Sequence, residues 1–108
     1  MELRHLQNFL TILEQQSISN AASLIRIAQP ALSRQLQALE REVGAALVVR
    51  HGWGVSPTPQ GEVLAEHARQ MLHHAQMALD AVSAMSSSPA GKLAARAKKF
   101  FWSTPITT

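Results

Sequence analysis

The chain has 108 residues, 46% of them apolar, which suffices for one small domain with its own core and leaves no room for a second. It has no cysteine, which excludes a disulfide framework and any thiolate metal site, and it has no apolar run long enough to span a bilayer. The formal net charge of +3 does not argue for a polyanion partner, because residues 1–91 hold six Arg against seven acids and the excess comes from Lys92, Arg96, Lys98 and Lys99.

The opening MELRHLQNFL carries Glu2 and Arg4 inside its apolar pattern, unlike a secretory signal, so a cytoplasmic location is expected. Apolar residues recur at Leu3, Leu6, Phe9 or Leu10, and Leu13, the period of a first helix over residues 2–15 packed on a core. Ser17 has the chemistry of an N-cap and opens a short second helix over residues 18–25, in which Ala21 and Ala22 contribute so little bulk that another helix can cross closely.

A brief link leads into residues 27–43, IAQPALSRQLQALEREV, around which the chain is organised. Leu32, Leu36, Leu39 and Val43 fall on one side of a helix and give that side to the core. Pro30 is tolerated only in the first turn, and Gly44 suits the left-handed residue just past the helix end. Gln29, Ser33, Arg34 and Gln37 face outward, where a helix built only for solubility would carry Glu and Lys; these types can bond base edges. The second and third helices therefore read as a helix-turn-helix, an outline shared by a plain helical corner.

Residues 46–50 are apolar and β-branched, and residues 54–56 can pair with them across the turn His51-Gly52-Trp53-Gly54, forming a short hairpin or wing. Thr58 followed by Pro59 is an N-cap and first-turn signature for a fourth helix, although Gly61 stands where a capping box needs Glu or Gln. Along it Leu64, Ala68, Met71, Ala75, Ala78, Val82 and Met85 recur at heptad spacing. A helix of this length reaches roughly 40 Å, more than so small a domain covers, so that seam is expected to pair with another chain. Residues 86–91, SSSPAG, read as a linker, and residues 92–108, including Phe100, Phe101 and Trp102, show no period and are expected to be disordered.

Catalytic and metal chemistries find no support. His67 and His74 share a helix face, but no Cys or carboxylate completes a ligand set at obvious spacing. There is no Gly-rich phosphate loop or nucleophile elbow, and Ser33 and Ser83 have no evident base beside them, so neither an enzyme nor a cofactor is expected.

The ordered set MELRHL, SISNAA, QPALSRQLQALE, LVVR and TPQG, followed by a long helix, resembles the N-terminal DNA-binding domain of LysR-type bacterial transcription regulators over roughly residues 1–91. The resemblance implies a mainly α fold: a winged helix-turn-helix (residues 1–58), a long linker helix that dimerises (59–86), and a linker with a tail (87–108). It also implies double-stranded DNA as the partner, bound by a homodimer at interrupted-palindrome promoter sites. By position, the base-reading residues are Gln29, Pro30, Ala31, Ser33 and Arg34. Contacts to phosphate fall near Ser17, Arg50 and Thr58, with Trp53 on the wing.

Two positions depart from the family pattern. Ala28 stands where a capping Ser is common, and Trp53 stands where Arg is common. An indole cannot supply the charge that a narrow groove attracts, but it can lie against a sugar edge or pack on the wing itself; packing is the expected role. The family's effector-binding domain begins near Gly91 of this numbering, so the chain is expected to be the DNA-binding part of a longer regulator whose inducer binds elsewhere. The rival readings are a helical dimerisation module without DNA readout, and a small basic amphipathic membrane binder.

Overall fold

A computed structural model describes residues 1–86; the linker and tail expected beyond them lie outside the described residues. The elements run α1 (Leu3–Gln15), α2 (Ile18–Ile25), α3 (Gln29–Val43), β1 (Val48–His51), β2 (Gly54–Pro57) and α4 (Pro59–Ala84). Four helices and one antiparallel hairpin make a winged helix-turn-helix, as the sequence pattern predicts.

The core forms where α1 meets the other elements. Leu6, Phe9 and Ile12 of α1, Leu32 of α3 and Leu47 before the wing are almost wholly buried, each contributing about 1.5–3 kcal/mol by leaving water. Both Phe9 and Leu10 are buried, while Leu3 and Leu13 only pack against the edge of the cluster. Ile12 was invisible to the simple repeat because α1 buries a wider stripe than that repeat samples. Ala21 and Ala22 are buried in α2, and their small side chains let α2 approach its neighbours closely. Val43, expected at the end of the α3 core stripe, is instead 41% exposed. The core has already turned away by the last turn of α3.

Leu47 ties the second half of the molecule together. Its N–H donates to Glu40 Oε2 at 2.7 Å, its carbonyl accepts from Thr58 N at 3.0 Å, and its side chain lies in the core. Gly61 packs directly on that carbonyl, where a Cβ would overlap the oxygen. The glycine that disqualified a capping box is therefore the residue that lets α4 start against the loop. Asn8, buried on α1, donates from Nδ2 to Gln35 Oε1 on α3 at 2.8 Å and fixes the crossing of those helices by a satisfied polar pair.

The helix α4 divides into two parts. Gly61, Ala65, Ala68 and Leu72 are buried against the body, and from residue 73 to its end no residue is buried. Within the expected seam, Ala68 is 0% exposed and so serves the monomer, while Leu64 and Met71 pack on the chain's own core and stay half-buried. The large apolar residues left in solvent along α4 and at its C-cap are Val63, Met77, Val82 and Met85.

Candidate nucleic-acid interface

Two helix ends and a hairpin tip build the site. The Ser17 hydroxyl accepts from Asn20 N at 3.0 Å, capping α2 and leaving its own proton free to donate outward. At the far end of α2, Arg26 adopts the left-handed conformation at φ 66, which reverses the chain within three residues and lets α3 start at Gln29. The turn of the helix-turn-helix is thus a non-glycine left-handed cap, a conformation sequence patterns do not mark at Arg.

The first turns of α3 present Gln29, Pro30, Arg34 and Gln37 to solvent, with Ala31 and Ser33 half-buried between them. Leu32, Leu36 and Leu39 hold the opposite side in the core, which fixes the rotation of the helix and so the aim of the outer face. Neither the Gln29 nor the Arg34 side chain forms a hydrogen bond or ion pair among the described residues. Their polar groups are held outward with unused donors and acceptors. Ala28 at the N-cap makes no side-chain cap bond, so the start of α3 lacks the support that a hydroxyl would give.

The wing pairs Val48 with Pro57, Val49 with Ser56, Arg50 with Val55 and His51 with Gly54, closing on Gly52 and Trp53. Val55 is buried and its N–H donates to the Gln16 carbonyl at 3.0 Å, joining the wing to the residue just before Ser17. Gly54, at φ 145, sits so close to that carbonyl that a Cβ would overlap it. Arg50 is exposed on the outer strand. His51 Nε2 lies 2.7 Å from Ser56 Oγ, and the His51 ring stacks against Trp53 with centroids 4.1 Å apart and planes tilted by 31°. Trp53 nonetheless remains 85% exposed, so packing on the wing accounts for only part of its surface.

Thr58 requires a correction. It is buried, and its hydroxyl donates to the Ala46 carbonyl at 2.6 Å while accepting from Gly61 N at 3.0 Å. A hydroxyl has one proton, and here it is already used, so Thr58 cannot donate to a phosphate. It is the cap of α4 and a brace for the loop. Glu40, an unremarkable surface acid by sequence, is likewise part of the scaffold through Leu47.

The electrostatics follow from where the acids lie. Every Asp and Glu falls at position 2, 14, 40, 42, 62, 66 or 80, leaving residues 15–39 and 43–61 with Arg26, Arg34 and Arg50 as their only formal charges. A domain with no net excess of positive charge thus keeps its carboxylates out of α2, the first part of α3 and the wing, and places Arg26, Arg34 and Arg50 there. Among the described residues, no three His, Cys, Asp or Glu side chains come together to hold a metal ion. No described helix is long and apolar enough to cross a membrane.

Comparison with known proteins places this geometry. Residues 3–62 match the model of the bacterial regulatory helix-turn-helix proteins of the lysR family. The chain is 37% identical over 106 residues to the HTH-type transcriptional regulator TfdT of Cupriavidus pinatubonensis, covering 98% of this chain and 45% of that one. It is 46% identical over 72 residues to the HTH-type transcriptional regulator BenM of Acinetobacter baylyi, covering 67% of this chain and 24% of that one. It therefore spans less than half the length of these relatives. Among solved structures, the BenM_DBD/catB site 1 DNA complex superposes with a TM-score of 0.76 at 39% identity, covering 82% of this chain and 99% of that one. The CbnR_DBD–DNA complex gives the same TM-score at 33% identity, covering 81% of this chain and all of its own. With the motif order, the fold and the matched residues in agreement, the chain belongs to the LysR family of bacterial helix-turn-helix transcription regulators.

Proposed function

We propose that this chain is the DNA-binding domain of a LysR-type regulator, acting in the cytoplasm and reading interrupted-palindrome promoter sites as a homodimer. The observation that carries the reading is the outward face of α3, where Gln29 and Arg34 project without partners from a helix whose other side is locked in the core. Placed in a major groove, Gln29 matches two atoms of adenine and Arg34 two atoms of guanine, while Pro30 and Ala31 offer apolar surface to a thymine methyl. Ser33 supplies one further hydroxyl. Ser17 and Arg50 set the register through phosphates. The similarity to regulators crystallised with DNA supports the assignment.

For the homodimer, the surface on offer is the outer half of α4. Ala75, Ala78, Val82 and Met85 continue the heptad past the last buried residue, and Met77 adds to the apolar exposure. Beside the start of α4, Val43, Ala45, Leu47, Val63 and Leu64 line an open apolar groove of about 470 Å³, which extends the apolar surface toward α3. Residues 1–58 form the reading head and 59–86 the linker helix in this scheme. Any small-molecule inducer binds in a domain outside residues 1–108.

Selection of bound duplexes from random DNA, followed by titration of the winner against a scrambled duplex, tests the reading. The expected result is an enriched two-fold-related motif bound at least a hundredfold tighter than the scramble. Recovery of no motif, with dimerisation intact, would favour a helical dimerisation module instead.

A further inference from the structure

We propose that Trp53 is the residue through which this wing touches DNA, laying its indole against the deoxyribose edges of the groove that flanks the recognition helix. The inference rests on the DNA-binding reading above and adds to it a contact made by shape instead of charge.

Trp53 is 85% exposed at the tip of a two-residue turn. An indole left so open presents a large apolar face that gains by being covered. Its position is also well defined. One side rests on the His51 ring at 4.1 Å, and His51 is held in turn by Ser56 Oγ at 2.7 Å. The neighbouring Gly54 is pressed on the Gln16 carbonyl, and Val55 is both hydrogen-bonded to that carbonyl at 3.0 Å and buried. Trp53 thus stands one residue from a point pinned to the entrance of α2. A side chain held this way has little freedom left to lose on binding.

The surroundings identify the occupant. Residues 43–61 contain no acid, so the wing strands and their turn bring no carboxylate of their own to a phosphate backbone, and the turn itself carries no Lys or Arg. With α3 in a major groove, an element fixed beside its helix-turn-helix meets the backbone and then the adjoining minor groove, because the two grooves alternate along the duplex. The walls of that groove are sugar rings, which apolar side chains pack against. The indole N–H, without a partner among the described residues, is available to donate to an acceptor there. Arg50, three residues back on β1, supplies the charge while Trp53 supplies the fit.

The test uses the full 108-residue chain carrying Trp102→Phe, which leaves Trp53 as its one tryptophan, titrated with the duplex selected from random DNA over a series of salt concentrations. Trp53 emission is expected to change on specific binding. Trp53→Ala is expected to lower affinity about tenfold with the salt slope unchanged, Trp53→Phe to retain most of the affinity, and Trp53→Arg to recover it with a slope steeper by about one phosphate equivalent. His51→Ala, which removes the support, is expected to fall between wild type and Trp53→Ala. Circular dichroism establishes that each variant is folded, and the emission readout needs no wing variant at all. If emission is unchanged on specific binding, or if folded Trp53→Ala binds within twofold of wild type at every salt, the wing contact is refuted while the DNA-binding reading stands. If the wild-type chain selects no motif, both readings fall together.

Discussion

Arg34 and Thr58 carry opposite lessons about single residues. Arg34 is exposed on α3 without a partner, so its guanidinium contributes nothing to the fold among the described residues and is free for a base edge. Arg34→Ala is expected to leave thermal unfolding in place and to weaken specific binding by about 1–3 kcal/mol, with a smaller effect on scrambled DNA. Equal discrimination by mutant and wild type would remove Arg34 from base readout. Thr58 is buried with its proton donated to Ala46. Thr58→Val leaves the Ala46 carbonyl and the Gly61 N–H unsatisfied, so a loss of about 1–3 kcal/mol of stability is expected in urea unfolding. Its DNA affinity, corrected for the unfolded fraction, should match wild type. A corrected loss with an altered salt slope would restore Thr58 as a phosphate contact.

At the scale of elements, the ends of α2 and α3 and the place of the hairpin turn were legible because their punctuation is local, whereas the strands run Val48–His51 and Gly54–Pro57 and not 46–50 and 54–56. Ser17 caps α2, Pro30 sits in the first turn of α3, Gly44 takes φ 77 at its end, and His51 pairs with Gly54 across the turn. A weak junction is the start of α3, where Ala28 has extended backbone angles suited to a cap and no side chain to make the bond. Ala28→Ser is expected to stabilise the domain by about 0.5–2 kcal/mol, read as an upward shift of the urea midpoint at constant m-value. An unchanged midpoint would mean that the α3 terminus is already satisfied by other means. Less legible was the heptad along α4. Its first half and its second half have the same spacing but different neighbours, since Ala68 faces α4's own domain and Val82 faces solvent. Periodicity reports that a face is apolar, and it does not report what covers it.

For the whole molecule, the division of α4 decides which substitution tests assembly cleanly. Val82 is 66% exposed and remote from every buried residue of α4, so Val82→Glu should leave the monomer fold intact. Placing a carboxylate on each side of a two-fold interface is expected to shift sedimentation from dimer to monomer in the micromolar range and to reduce affinity for the full palindrome far more than for a half-site. Dimerisation equal to wild type would move the interface off this part of the helix.

The sequence by itself determined the order and type of the elements, the core stripe of α3 and its reading face, because each rests on period, caps and residue chemistry within a few turns. It also located the absence of acids from residues 15–39 and 43–61. Only the tertiary structure decided how Thr58, Glu40, Gly61 and Gly54 are used. Their partners, Ala46, Leu47 and Gln16, lie on other segments, and a hydroxyl, a carboxylate or a missing Cβ carries no local sign of the atom that folding will bring against it. The same holds for Trp53, whose support by His51 and whose exposure depend on the hairpin being closed and pinned to the end of α1.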